Sequence, residues 1–536
     1  MPSSSTSEDA AVTSVQRRRR VWSVALAAVA VLIVVRNLSG LASAPLGAHV
    51  DETSVGYNAW AISTHGVDEH GAHLPLYFTA FGEFKNPVYI YTLSALLRVL
   101  PLTVTTERLP AALFGLLTCL FITLIAWRRS RSLPITLLAL ALCGLTPWLT
   151  VESRVGFEVI SMLAAVSAAL WCLSIAQDGG RLGWYVAAGC LLSIAVFAYS
   201  TGRVAVALLV VALAVGECWR ARQLAGAWMA ALVPVAGAYS VLEAWNLQHP
   251  GALTARFNLI SIGADHARLL TVMGRFIGNY VTYFRPEFLF LHGDLQPRHA
   301  TQFGGMLLWI TLPLIIAGVA AVWLKREQRF LRFLLLGTLA APVSAALTEE
   351  SVPHALRSSV MLPFLLVLAV EGMILVRERA PSWHGAAGAV ATAALVIQGS
   401  LFTVDLYATW PARSAPYFDA GEIDAITRAS AIAQGAPVLL SSTLDQPYIQ
   451  AAFTLRPPPP TSFTVDSVRR LLAEMNMALF DPNLPPVRPG SIAVLSSGDR
   501  VPPSAQELFK EQIQPATFAF GQPPPSYVTI VVYRLR

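Results

Sequence analysis

Long apolar runs dominate this chain, and short polar breaks separate them. They cover about 21–35, 108–127, 133–149, 159–176, 184–199, 204–218, 227–245, 303–324, 330–347, 358–376 and 384–403. Runs of this length, nearly free of charge, predict helices that span a bilayer. The run 87–101 (PVYIYTLSALLRVLP) differs, being short, bounded by Pro at both ends and interrupted by Arg98. It predicts a helix lying on the membrane surface or dipping into it, with Tyr89 and Tyr91 as interfacial anchors or contacts for a lipid tail.

Basic clusters punctuate the pattern: RRRR (17–20), RRSR (128–131), WRAR (219–222), KREQR (325–329) and RER (377–379). Positive charge flanking spans stays in the cytoplasm. If 87–101 crossed the bilayer, RRSR would fall outside. The expectation is therefore eleven spans, a cytoplasmic N-terminal segment (1–20) and an external C-terminus. Most non-membrane residues then lie outside, in loops 41–107 and 246–302 and in a tail from 404 to 536. The tail predicts a helix at Gly421–Ala433, strands at VLLSS (438–442) and YVTIVVY (527–533), and a Pro-rich joint, RPPPP (456–460). The fold class expected is an all-α polytopic membrane domain (21–403) followed by an extracytoplasmic α/β domain (404–536). A cleaved signal peptide fits less well than a retained first span. The small residues Ala42-Ser43-Ala44 lie beyond Arg36 and Asn37 and directly precede Pro45.

Composition agrees with this layout. Of 536 residues, 55% are hydrophobic and 13% charged, against about 25% charged in soluble domains. The net charge of +6 is accounted for by the topology clusters and calls for no nucleic acid. Cys119, Cys143, Cys172, Cys190 and Cys218 are each isolated in apolar runs, as small filler residues are. The cytoplasmic loops are short, and no glycine-rich phosphate loop follows a strand. A cytoplasmic nucleotide site is thereby excluded. Chemistry is expected at the outer face, where a lipid-carried substrate is available and a nucleotide-activated one is not.

Several external loops carry both acids and bases. HVDETSVGYNAW (49–60) holds Asp51 and Glu52, and GEFKNP (82–87) holds Glu83 and Lys85. ESRVGFE (152–158) holds Arg154 and Glu158, YSTGR (199–203) holds Arg203, and EESVPHALR (349–357) holds His354 and Arg357. Solvation alone puts polar residues at span ends. Yet Lys and Arg are depleted in short outer loops, and here four stand against that trend. Cations so placed call for an anion, and a phosphate fits. Arg154 is expected to pair with Glu152 or Glu158. His354 reads equally as a polar contact at a helix entry.

The segments DETSVGYNA (51–59), FGEFKNPVYIY (81–91) and RLPAALFGLL (108–117) resemble the C-type membrane glycosyltransferases. The closer likeness is to glycosyltransferase family 39, the protein O-mannosyltransferase and aminoarabinose-transferase group, over about 45–200. The resemblance implies an inverting transfer of a sugar from a polyprenyl-phosphate carrier to an acceptor hydroxyl on a protein, glycolipid or wall polymer. It implies that Asp51 is the catalytic acid–base, Glu158 a second acid and Lys85 the basic residue beside the donor phosphate. Arg203, Arg357 and His354 are further candidates for that phosphate. Glu52 would orient Asp51, bind sugar hydroxyls or be solvated, and Glu83 and Tyr57 are candidate sugar or acceptor contacts. The family commonly reads Lys-Pro-Pro where this chain has Lys85-Asn86-Pro87, and often has Asp where Glu158 stands. Both departures bear on the substrate more than on the reaction.

No cofactor is required for a carrier with a single phosphate. A divalent cation held by Asp51, Glu52, Glu158 and His354 is the alternative. A rival function is a lipid-linked sugar flippase or transporter. Such proteins place ionisable residues near the bilayer midplane, whereas here Glu371 is the deepest exception in otherwise clean spans. A scaffold for envelope assembly would not need so many spans. The short loop between Lys85 and Arg108 resembles bacterial members, implying the bacterial cytoplasmic membrane.

Overall fold

The structure is a computed structural model that describes residues 5–179, 181–218, 226–382, 384–481, 489–502, 505–513 and 527–535. The expected basic cluster at 219–222 lies outside the described residues. Most of the chain up to Ala408 is helical. Six helices among the described residues are long and apolar enough to cross a membrane: Gln16–Leu38, Val104–Ser130, Val159–Gly179, Ala227–Gln248, Arg329–Ala346 and Gly385–Ala408. Pro87–Leu96, Leu133–Leu145, Leu182–Ala198 and Thr311–Leu324 are apolar but shorter.

Local chemistry explains why some runs fall short of the lengths expected. The run 133–149 breaks at Thr146, whose backbone is extended (ψ 124°) because Pro147 follows. Proline disfavours helical geometry in its predecessor and brings no N–H of its own. In the run 303–324, residues 303–310 are irregular, and the helix begins only at Thr311. Val104–Ser130 instead has a reciprocal cap, in which the Thr103 hydroxyl accepts from the Thr106 amide and the Thr103 amide donates to Thr106. Its last turn holds Arg128 and Arg129, favourable at the negative end of the helix dipole.

Packing between helices is close where glycine permits it. Helix Thr311–Leu324 lies against Met361–Arg379. A methyl group on Gly372 would stand 1.9 Å from the Leu314 carbonyl, and one on Gly318 would stand 2.0 Å from that of Leu368. Small residues bring two backbones together in this way. Glu371, beside Gly372, is fully buried and accepts from Arg129 at 2.6 Å. Glu371 is therefore held in a buried ion pair.

Helix Val50–His65 holds an unusual place. Val55, Ala59 and Ile62 join the core of the helical bundle, while Val50 and Tyr57 join the core of the C-terminal region. A helix buried on opposite sides needs apolar or small residues nearly all round, and its sequence supplies them. His49 caps its start and Gly66, left-handed at φ 73°, ends it. Helix Pro87–Leu96 packs on Val50–His65, Val104–Ser130 and Leu182–Ala198. Tyr89 there is fully buried and donates to the Glu107 carbonyl at 2.8 Å. It is packed inside the protein, and the anchor role expected for it does not hold.

Beyond residue 410 the chain forms a five-stranded sheet in the order 477–480, 438–441, 492–496, 527–535, 505–513. The first three strands are parallel and the last two antiparallel to their neighbours. Val438 and Leu440 face one core with helices Glu422–Ala433 and Pro447–Leu455, while Leu439 faces the other side. That alternation is the two-residue period of a strand buried on both faces.

Candidate active site

Asp51 and Glu52 occupy the first turn of helix Val50–His65, where acids favour the positive end of the dipole. Adjacent helical residues point about 100° apart, and the two carboxylates have separate fates. Glu52 turns inward and is fully buried. It accepts from Arg108 Nε at 2.7 Å and Nη2 at 2.9 Å, from the Gly156 amide at 2.9 Å and from the His49 amide at 3.0 Å. Arg108 also donates to the carbonyls of Leu41, Pro45 and Gly47. This buried clamp ties the start of the helix to the 41–47 turn and to the segment before helix Val159–Gly179. Glu52 is thus packed away from any substrate.

Asp51 turns the other way, half open to a cavity of ≈ 300 Å³. Lys85 Nζ donates to its Oδ1 at 2.7 Å. Lys85 is carried by a short strand, Glu83–Lys85, paired with Phe78–Ala80 just before helix Pro87–Leu96. Glu158 completes the group, accepting from the Asn86 side chain at 3.2 Å and from the Asn86 amide. The other side of Asn86 accepts from Arg203 Nη2 at 3.2 Å. Asn86 therefore links the second acid to a cation, through a residue that departs from the resembled motif.

Charge and burial set the protonation of these groups. Burial would raise the Asp51 carboxyl, but Lys85 above all, with help from His49, holds it well below the usual carboxylate range. Burial would lower Lys85, and Asp51 followed by Glu158 more than reverse that, so it stays a firm cation. Burial pushes Glu158 up to about 7, against the pull of Lys85 and the Asn86 hydrogen bonds. Between them, Asp51 and Glu158 thus offer one fixed carboxylate and one acid raised to about 7.

The far wall comes from the 246–302 segment and from residues 350–357. Arg256 and Arg357 share Glu350, at 2.8 and 2.6 Å. Arg298 bonds His49 Nε2, which lies behind Asp51. Five cations (Lys85, Arg203, Arg256, Arg298, Arg357) and four carboxylates (Asp51, Glu83, Glu158, Glu350) line the cavity. The excess of fixed positive charge over these acids suits an anionic guest.

The structure thus brings Asp51, Lys85, Glu158, Glu83, Arg203, His354 and Arg357 around one cavity. Glu52 and Tyr57 stand apart from it, and Tyr57 is fully buried, donating to the Pro457 carbonyl at 2.7 Å. Arg154 pairs with neither Glu152 nor Glu158. It donates instead to the carbonyls of Ser39, Gly40 and Ala44, each at 2.7 Å. The cation set expected from Asp51, Glu52, Glu158 and His354 does not assemble either, because Glu52 faces Arg108 and Lys85 sits beside Asp51. Sequence alone does not mark Arg256, Arg298, His299 and Glu350 as residues of this cavity. The dense polar run QPRH (296–299) was the available signal for two of them.

No protein-family model matches the chain, and no curated protein matches it. Solved structures do. ArnT from Cupriavidus metallidurans bound to undecaprenyl phosphate superposes with a TM-score of 0.54 at 14% identity, over 96% of this chain and 97% of its own. The same protein in the apo state gives 0.53 at 15% identity, over 96% and 98%. At such identity the likeness is one of fold, and it extends through nearly the whole of both chains.

Proposed function

We propose that this chain, which has the fold of the C-type membrane glycosyltransferases, moves a sugar from a polyprenyl-phosphate carrier to an acceptor hydroxyl at the outer face of a membrane. The observation that carries the proposal is the Asp51–Lys85 contact of 2.7 Å beside Glu158, inside a cavity ringed by further cations. The undecaprenyl phosphate bound by ArnT makes a prenyl phosphate the natural anion for this cavity.

The reaction needs two things from the protein. An acceptor hydroxyl attacks the anomeric carbon, and its proton goes to a carboxylate within hydrogen-bond reach. The bond from that carbon to the carrier phosphate breaks, and the phosphate leaves with one more negative charge. Fixed cations aimed at that charge stabilise the transition state more than the ground state. Asp51 is the proposed base and Lys85 the proposed phosphate ligand. A carboxylate held by Lys85 is a weak base. Once the carrier phosphate shares Lys85, the hold on Asp51 loosens and its proton affinity rises when the hydroxyl is in place. Glu158, near neutrality, is the second proton acceptor. Arg203 and Arg357 would flank the phosphate, and Glu83 would reach sugar or acceptor hydroxyls.

The proposed setting is the bacterial cytoplasmic membrane, with the N-terminus inside, the helical region 21–403 as catalytic domain and residues 404–536 as an external domain. The test uses purified chain in liposomes carrying polyprenyl-phosphate sugars, with free polyprenyl phosphate and lipid translocation measured together. Release of free carrier phosphate supports transfer. Translocation of intact donor without cleavage would establish a flippase instead.

A further inference from the structure

We propose a zinc site in the cavity wall, formed by Asp294, His299 and His354. One ligand atom from each lies within 4.8 Å of the others. All three residues are buried, and the two imidazole rings sit 4.6 Å apart, tilted by 31°. The independent sign is the Nδ1 atom of His354, which is buried without any hydrogen-bond partner. A buried polar nitrogen left unpaired costs about 1–3 kcal/mol, and a metal ion would satisfy it.

The local chain builds this group. Asp294 Oδ1 accepts from the Gln296 amide at 2.8 Å, which fixes the turn that presents His299. Asp294 Oδ2 accepts from the Ala355 amide at 2.8 Å and bonds His299 Nδ1 at 2.9 Å. One carboxylate therefore holds both histidine-bearing segments together. Two imidazoles and a carboxylate suit zinc, which takes nitrogen and oxygen ligands and keeps a fourth position for an outside group at reactive sites. Calcium or magnesium would demand more oxygens.

His299 and His354 both line the cavity, next to Arg298 and Arg357. A dication beside two guanidinium groups is repelled by them and binds more tightly when an anion shares the space. The open position is therefore assigned to a phosphate oxygen of the cavity's guest, and zinc and phosphate should bind cooperatively. The zinc site rests on the cluster alone, whereas its phosphate partner rests on the function proposed above.

The full chain, purified in detergent and stripped with a chelator, is titrated with zinc chloride. Wild type, His299→Ala, His354→Ala and His354→Gln are compared, with Asp51→Asn as a cavity control outside the cluster. Wild type should take up about one equivalent, and the histidine variants should bind at least about 100-fold more weakly. Asp51→Asn should bind as wild type does. A short-chain prenyl phosphate should tighten zinc, and zinc should tighten the prenyl phosphate by the same factor. Zinc should raise the unfolding temperature of wild type and not of His354→Gln, which separates ligand loss from misfolding. No uptake by wild type above a detergent blank, or equal uptake by all variants, overturns the site. A chain that binds zinc yet cleaves no carrier-linked sugar keeps this site and loses the transfer function. A chain that transfers sugar and takes no zinc does the reverse.

Discussion

Arg108→Met removes the guanidinium at the centre of the clamp below the cavity. Both Arg108 and Glu52 are completely buried. The substitution breaks two ionic hydrogen bonds to Glu52, at 2.7 and 2.9 Å, and three to backbone carbonyls, at 2.7, 2.8 and 2.7 Å. Breaking a buried ion pair from one side costs about 3–5 kcal/mol, because the remaining charge is uncompensated. Each carbonyl left unpaired adds about 1–3 kcal/mol, and entering water recovers part of it. A loss of about 5 kcal/mol is expected, or on the order of 4–5 °C in apparent unfolding temperature for a chain of this size. The assay is thermal inactivation in detergent at a fixed heating rate, since unfolding of such a chain is under kinetic control. The double variant Glu52→Gln/Arg108→Met removes both charges and should be clearly more stable than Arg108→Met alone. An Arg108→Met chain that melts within about 1 °C of wild type, against the shift expected from its buried bonds, would refute the reasoning.

Gly372→Ala should lower stability by about 1–3 kcal/mol or more, because the new methyl meets a helix backbone that cannot yield. Gly385→Ala, in open space, is the control and should be neutral or slightly stabilising in the same melting assay. Burial lifts Glu69 to about 7, with Asn58 and Tyr448 as its hydrogen-bond partners and Asp68 as a repelling neighbour. Its contribution is fully present below the ordinary carboxylate value and is lost as pH rises through about 7. Glu69→Gln should therefore remove on the order of 3 kcal/mol of the stability difference between about pH 5 and about pH 8; an unchanged slope in melts at the two values would contradict this. Lys85→Met should lower kcat by about 10²–10³-fold in carrier-phosphate release, and a change confined to KM would make Lys85 a ground-state contact only.

The membrane helices were legible because lipid leaves little choice: a spanning segment must be long and apolar. Their ends were less so, since Pro147 breaks one run and residues 303–310 never become helical. Asp51 and Lys85 could each be picked out in advance because both lie in recognisable segments, and Lys85 is a cation where topology disfavours one. Glu52 could not be separated from Asp51 by sequence, for the one-residue difference becomes a change of face only when the helix has neighbours. Arg154 misled for a related reason. Acids flank it in sequence, but the turn at 39–44 brings carbonyls closer. Arg256, Arg298 and His299 lie in a long segment without a clear period, and only tertiary folding carries them to the same cavity.

The central claim concerns the Asp51 carboxylate, and Asp51→Asn tests it with almost no change in shape. Single-turnover release of polyprenyl phosphate is followed for wild type and variant, each first shown to melt at the same temperature. The account predicts release by wild type and a loss of about 10²–10⁴-fold in the variant. Equal rates from the two proteins would contradict it and remove Asp51 from the chemistry.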